Sequence, residues 1–420
     1  MYLSHARAAD RHTDQGGPGR RGPRRTVAAL PSTVLALGLV SLVTDASAEM
    51  VTAVLPMYLV YGLGVGLLQL GALDGLYTGA TALLRLGGGY AADRLRRPKA
   101  VATAGYALSA LTRLALPAVG LSFAGVSTVT AVDRVGKGIR TAPRDAMITA
   151  AAPEEDLGRA FGVHRAMDTC GALLGPLLAF AVLFAVPGGY DTAFAASFCL
   201  AAVGVVVLLF FVDGRAAAAP GQDRLRSIRT GVTACREPQV RRCLLATALL
   251  GVFTVGDMSL FVGVQQRLDA PAAALPLLPL ITAGVFMVAA APLGRLADRL
   301  GRRRTFFAGH AAVACAYLVV LAAPLDGWPA VVAVLILHGL FYAATDGVLM
   351  AYVAPRLPEN ARTTGLAAFQ SVQAIGRALG ALAFGALATW QGLAAAFTVS
   401  SAGMAAVIVA AALCLYRSPR

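Results

Sequence analysis

Gly89-Tyr90-Ala91-Ala92-Asp93-Arg94-Leu95-Arg96-Arg97 and Gly294-Arg295-Leu296-Ala297-Asp298-Arg299-Leu300-Gly301-Arg302 are one phrase written twice, 205 residues apart. The same offset carries Pro153-Glu154 onto Pro358-Glu359, and Gly171 and Gly175 onto Gly376 and Gly380. A constant offset held over several separate blocks marks a duplicated unit rather than chance similarity.

Composition says what kind of unit was duplicated. Of 420 residues, 57% are hydrophobic and 14% charged, and the mean hydropathy is +0.69. About 20 apolar residues cross a hydrocarbon core of about 30 Å. Twelve such stretches can be placed, near 34–61, 68–92, 100–121, 124–150, 160–186, 192–212, 242–266, 272–296, 305–323, 329–353, 363–389 and 393–416. Strand alternation is absent, so the expected fold is an all-α integral membrane protein with twelve transmembrane helices in two pseudo-symmetric six-helix bundles. The bundles are placed at 31–212 and 241–416. A cytoplasmic linker (213–240) joins them, with an interfacial helix near 224–236. A disordered basic tail (1–30) and a short C-terminal tail (417–420) flank them. The first span follows basic residues but carries Asp45 and Glu49, and it is too long for the apolar core of a signal peptide.

The net charge of +14 is explained by topology rather than by nucleic acid. If the N-terminus is cytoplasmic, the segments on that side hold 27 of the 36 Lys and Arg, whereas the outward loops hold Arg267 alone. This asymmetry places both termini in the cytoplasm of a cell-membrane, multi-pass protein. The expected partners are the lipid bilayer and a small-molecule substrate, with no nucleic acid, and the chain is expected to be a monomer. Six scattered cysteines without a CxxC pair read as small apolar filler.

Ionisable residues inside spans are costly and mark function by default. Asp45 and Glu49 stand four apart on one helix face, and two close carboxylates disfavour joint ionisation, as a proton carrier requires. The fourth span carries a polar stripe of Asp133, Arg134, Lys137, Arg140, Thr141, Arg144 and Asp145 around Pro143, with Asp133 and Lys137 able to pair at i,i+4. Arg134 or Arg113 is a candidate partner for the first-span acids, and Arg144 is near enough to the cytoplasmic end to snorkel. In the fifth span His164 and Asp168 share a face and could relay protons, although a structural hydrogen bond explains them as well. Gly171 and Gly175 present a small surface for close packing, and Pro176 adds a bend. In the second half Asp257 stands alone, His338, Tyr342 and Asp346 share a face, and Gln370 and Gln373 offer hydrogen bonds. Phe253, Phe261, Phe341 and Phe369 could form apolar walls, although packing is the commoner role. The buried cations Arg85, Arg113 and Arg377 have no partner legible in the sequence.

The doubled loop resembles the signature G-x-x-x-D-R-x-G-R-R/K of the major facilitator superfamily, complete in Gly294 to Arg303 and with Arg96 in place of a glycine in the first copy. Two further stretches resemble the drug/proton antiporter branch. They are Arg134-Val135-Gly136-Lys137-Gly138-Ile139-Arg140-Thr141-Ala142, similar to R-x-x-Q-G-x-G-x-A, and Gly171-Ala172-Leu173-Leu174-Gly175-Pro176, similar to the start of G-x-x-x-G-P-x-x-G-G. The resemblance implies gating roles for Gly89, Asp93, Arg94, Arg97, Arg144, Gly171, Gly175, Pro176, Gly294, Asp298, Arg299 and Arg302. It also aims the first, fourth, seventh and tenth spans at a central cavity.

Walker loops, a nucleophile elbow and an H-E-x-x-H motif are missing, so an enzyme is not expected and neither is a cofactor. The expected energy source is a proton gradient, with Asp45, Glu49, Arg134, His164 and Asp168 as coupling residues. The expected function is proton-coupled antiport exporting a small amphipathic or anionic metabolite or drug by alternating access. Uptake of an organic anion or siderophore-like nutrient is the second reading, and a lipid flippase or non-transporting sensor the third.

Overall fold

The computed structural model describes residues 31–80, 97–153, 156–213, 237–267, 272–322, 328–357 and 362–416. Gly89, Asp93, Arg94, Arg85, the N-terminal tail and the 224–236 segment lie outside them. The described chain is helical, with no strand. The first half comprises α1 (Ser32–Met57), α2 (67–80), α3 (Pro98–Ala118), α4 (Phe123–Ala151), α5 (Leu157–Ala185) and α6 (Tyr190–Phe211). The second comprises α7a (Pro238–Val252), α7b (Asp257–Arg267), α8 (Leu278–Leu300), α9 (Arg302–Ala322), α10 (Trp328–Val353), α11 (Arg362–Gln391) and α12 (Leu393–Tyr416). Nine described helical stretches are long and apolar enough to cross a membrane. Together with the spans read from the sequence, they form the expected fold of twelve transmembrane helices in two bundles.

The duplication is visible in the packing. In the first half α1 lies along α5 and α6, and α3 along α4 and α6. In the second, α7a lies along α11 and α12, and α9 along α10 and α12. The repeated glycines are where these contacts are closest. A Cβ at Gly171 would collide with the Leu42 carbonyl of α1, and one at Gly376 would sit 2.6 Å from the Ala248 carbonyl of α7a. Gly175 and Gly380 repeat this one turn later against Ala46 and Val252. Small residues are what allow helix backbones to touch in lipid, where no hydrophobic force draws helices together.

One expectation about helix shape is corrected. The seventh span is not continuous, because α7a ends at Val252 and α7b begins at Asp257, with Gly256 in the gap. At Gly294 a Cβ would meet nothing within 4 Å among the described residues, so no described neighbour there requires a glycine. The glycine that the second repeated loop does require is Gly301. Its φ of +100° turns α8 into α9, a conformation that a side chain resists.

Among the described residues, one end of the molecule carries Arg97, Lys99, Arg241, Arg242 and the Arg302–Arg304 run, and the other is poor in charge. The two ends are built differently. At the charge-poor end, Tyr61 donates to Gln265 Oε1 at 2.6 Å and the Leu68 amide donates to Thr389 Oγ1 at 3.0 Å, each bond crossing between halves. Gly71 and Gly75 of α2 lie against the Ala381 and Ala378 backbone of α11. Met258 and Val262 of α7b share a core with Leu55, Leu70 and Leu73. At the basic end, the core of the first half (Val34, Leu37, Tyr106, Met147, Ile148, Leu208) contains no residue of the second half among those described. The charge-poor end is therefore sealed by both halves together.

Candidate functional site

α1 presents Ser41, Asp45 and Glu49 at four-residue steps, so all three lie on one face, about 20 Å along the helix from Ser32 at Asp45. α4 turns its charged stripe toward that face and toward α3 and α5. The result is two ionic networks inside the first bundle.

The first network joins α3 to α4. Asp133 is held by Arg113 at 3.2 Å and by its neighbour Arg134. Arg113 also donates to the Ser109 carbonyl, and Arg134 lies over the Tyr77 ring of α2, 3.9 Å from its centre. Both arginines are almost fully buried, at 3% and 4% exposure. Asp133 therefore pairs with Arg113 and Arg134 rather than with Lys137, which corrects the i,i+4 expectation and gives Arg113 its partner. A small cavity of about 20 Å³ lies beside these groups, lined also by Thr52, Tyr77, Thr112 and Thr130.

The second network joins α1, α4 and α5. Arg140 Nη2 reaches Asp45 Oδ1 at 3.3 Å, while the guanidinium stacks on Tyr106, 4.3 Å from the ring centre. Asp45 is thus paired with Arg140, not with Arg134 or Arg113. The carboxyl groups of Asp45 and Asp168 lie within hydrogen-bonding reach of each other, and Asp168 Oδ1 is buried with no donor. Two carboxyl groups can share a hydrogen bond only when one carries a proton. Arg144 does not snorkel to a membrane surface. It contacts Asp145 Oδ1 at 3.1 Å, Ser41 Oγ at 3.3 Å and Asp168 Oδ1 at 3.8 Å. His164 is hydrogen-bonded to Ser41 Oγ at 2.8 Å rather than to Asp168, which corrects the proposed His–Asp relay pair. Asp168 is instead met by Arg144 and by the exposed Arg165.

These pairings also correct the picture of a stripe lining an open cavity. Arg134 and Arg140 point into helix packing, and the Thr141 hydroxyl bonds its own backbone at Lys137. Lys137 stands between the two networks. Among the described residues it forms no ion pair within 4.0 Å, yet it lies within electrostatic reach of Asp45 and Glu49.

The second half supplies a smaller group around the break in α7. Asp257, expected to stand alone, accepts from Tyr342 Oη at 2.7 Å and lies 3.4 Å from His338 Nε2. Asp346 meets Arg377 at 3.4 Å, so Arg377 too gains its partner, and that guanidinium lies 5.0 Å from the centre of the Tyr342 ring. Asp257 and Asp346 each keep 47% of the side chain exposed, although both sit far from the ends of their spans. On α11 Gln370 is exposed and Gln373 half-buried. Phe261, Phe341 and Phe369 are core residues rather than walls, and Phe253 packs where Gly403 leaves room.

Among the described residues, the second copy of the repeated loop is tied to its own half. Asp298 pairs with Arg302 at 2.9 Å, and Arg302 donates to the Ala351 carbonyl of α10 at 2.7 Å, tying the α8–α9 turn to its neighbour. Arg97 and Arg299 are exposed, and Pro176 is buried within an α5 that continues through it.

One buried acid escaped the sequence reading. Asp74 of α2 is 4% exposed and accepts from the Met258 amide at 3.0 Å and the Ser259 amide at 3.5 Å, across the junction of the two halves. Its signal was available, as a lone acid inside an apolar run.

The chain is similar to known transporters over most of its length. It is 28% identical over 355 residues to an uncharacterised MFS-type transporter of Methanocaldococcus jannaschii, covering 82% of this chain and 85% of that protein. Its fold matches the nucleoside transporter NupG with a TM-score of 0.79 at 14% identity, covering 91% of this chain and 99% of that one. It also matches a POT family transporter solved with 5-aminolevulinic acid, with a TM-score of 0.77 at 13% identity over 93% of this chain and 97% of that one. Residues 37–326 and 280–420 match the Major Facilitator Superfamily. With a duplicated six-helix unit and ionisable groups buried in its spans, the chain belongs to that superfamily and is a membrane transporter.

Proposed function

We propose that this transporter is proton-coupled and that the Asp45–Asp168 carboxyl pair is its proton site. The observation that carries the reading is the meeting of two carboxyl groups between α1 and α5, flanked by Arg140 and Arg144. Binding a proton to the pair loosens the hold of Arg140 on Asp45, and losing it restores that hold. A buried pair that can change partners ties protonation to the relative position of α1, α4 and α5.

The substrate is a small amphipathic molecule held between the halves. Lys137, with Glu49 beside it, faces an anionic group, while the half-exposed Asp257 and Asp346 face a hydrogen-bond donor or an amine. The chain works as an antiporter of the drug/proton branch, exporting a metabolite or drug from the cytoplasm of the cell. The Gly171–Pro176 element supports that direction. The basic loops support a cytoplasmic location for both termini.

A second reading, proton-coupled uptake of an organic anion, is favoured by one observation. Arg113, Arg134, Lys137, Arg140 and Arg144 face Asp45, Glu49, Asp133, Asp145 and Asp168. A proton bound between Asp45 and Asp168 leaves this cluster one positive charge in excess, which attracts an anion.

Reconstitution of the chain alone in proteoliposomes, with an imposed pH gradient and a panel of amphipathic drugs and organic anions, tests both. Antiport predicts accumulation inside acid-loaded vesicles, and uptake predicts accumulation from an acidic exterior. Flux equal in both and unchanged by Asp45→Asn and Asp168→Asn would sink the coupling proposal.

A further inference from the structure

The break in α7 carries a contact that the proton and substrate readings leave unused. α7b begins at Asp257, so the first amides of this helix have no partner in the preceding turn. Leu260 finds the Gly256 carbonyl at 2.8 Å. Met258 and Ser259 instead donate to one oxygen of Asp74, a residue of the other half. Gly256 makes room for that oxygen, because a Cβ there would collide with Asp74 Oδ2. On the α11 side, Gly71 lies one turn earlier in α2 against the Ala381 backbone, and a Cβ at Gly256 would lie 2.9 Å from the Ala381 side chain. Among the described residues no cation lies within ion-pair distance of Asp74. The charged group within electrostatic reach is Asp257, the first residue of α7b itself.

The same short segment therefore faces two ways. Its backbone is held by Asp74 of the first half, and its first side chain, Asp257, accepts from Tyr342 of α10 and lies 3.4 Å from His338, with half its surface open. We infer that Asp74 is a positioning residue for transport. By capping α7b it fixes Asp257 toward the space between the halves while the charge-poor end is closed. Releasing the cap frees α7b, opens that end and withdraws Asp257. The inference takes Asp257 as a substrate contact from the reading above, but its test does not depend on transport.

The test measures the closed state directly. Spin labels are placed by Gln69→Cys and Gln391→Cys, one in each half at the charge-poor end, in a chain whose native cysteines are replaced. Distances are read by pulsed electron resonance in lipid nanodiscs, and amide exchange of the 257–262 segment is read by mass spectrometry. Losing an N-cap costs about 1 kcal/mol, which is about a five-fold fall in the closed-to-open ratio. Asp74→Ala is expected to shift population to longer distances and to speed exchange in that segment. Asp74→Asn keeps an accepting oxygen and is expected to hold the wild-type distances. Gly256→Ala displaces the carboxylate without removing it, and so tests the contact even if Asp74→Ala fails to fold. Its expected result is the same lengthening. Wild-type distances in Gly256→Ala or in a folded Asp74→Ala, or an Asn variant as displaced as the Ala variant, would overturn the inference. Loss of proton coupling with these distances intact would sink the transport reading and leave this one standing.

Discussion

Arg140 of α4 reaches Asp45 of α1 at 3.3 Å while its guanidinium lies on the Tyr106 ring of α3, so one side chain ties three helices of the first bundle together. Both charges are out of water, and the cost of that burial is met only while each has the other.

Removing one partner should therefore be worse than removing both. Arg140→Ala leaves Asp45 facing Asp168 with its nearest cation gone, and the expected loss of stability is about 3–5 kcal/mol. The double variant Asp45→Asn/Arg140→Gln replaces charges with hydrogen-bonding groups and should recover much of it. Thermal unfolding of the purified variants in detergent checks the cycle. Additive losses in the double variant would mean the two residues do not act as a pair.

Asp168 is expected to separate proton movement from substrate movement. In Asp168→Asn the amide can donate to Asp45, so the buried contact survives without a titrating proton. Exchange of labelled for unlabelled substrate across the vesicle wall should persist, whereas accumulation driven by a pH gradient should fall to background. Gradient-driven accumulation at the wild-type level would remove Asp168 from the proton site.

The glycine repeat makes a prediction about symmetry. Gly376→Ala forces a Cβ against the Ala248 carbonyl, and Gly171→Ala does the same at Leu42. Each substitution is expected to cost about 1–3 kcal/mol, because overpacked helices must part. Gly294→Ala, at the repeated loop, meets nothing within 4 Å among the described residues and should be close to neutral. Melting temperatures of the three variants decide the matter. An equal loss at Gly294 would show that the loop is closely packed after all.

What could be read in advance follows from which physics is local. Span number and duplication were legible because hydropathy and a fixed offset need no partner to be recognised. A close-packing face on α5 was legible for the same reason, since Gly171 and Gly175 sit four apart, but its partner α1 was not. The pairing of ions was not, because it depends on helix rotation. Asp133 and Lys137 are one turn apart, yet the turn of α4 sends Asp133 to Arg113 and leaves Lys137 with no ion pair within 4.0 Å among the described residues. The break in the seventh span had a weak local sign in Gly256-Asp257, but its hydropathy hides it, and the cap that stabilises it comes from residue 74 of the other half. Asp74 was passed over because it has no charged neighbour within a helical turn, although an acid at that depth is itself a signal.

Lys137 gives the sharpest test of how the substrate is held. Arg113, Arg134, Arg140 and Arg144 all have carboxylate partners, so losing any of them disturbs the bundle before it disturbs a ligand. Lys137 has none within 4.0 Å among the described residues and should be removable at little structural cost. A hydrogen bond between charged groups contributes about 1.5–3 kcal/mol, which corresponds to about a ten- to hundred-fold change in affinity. Lys137→Ala is therefore expected to raise the half-saturation concentration of an anionic substrate by at least about ten-fold, with melting temperature nearly unchanged. Lys137→Arg should restore much of the affinity, and neutral substrates should be carried as before. If Lys137→Ala weakened neutral and anionic substrates alike, or unfolded the protein, Lys137 would belong to the bundle's internal ionic network and not to the substrate site.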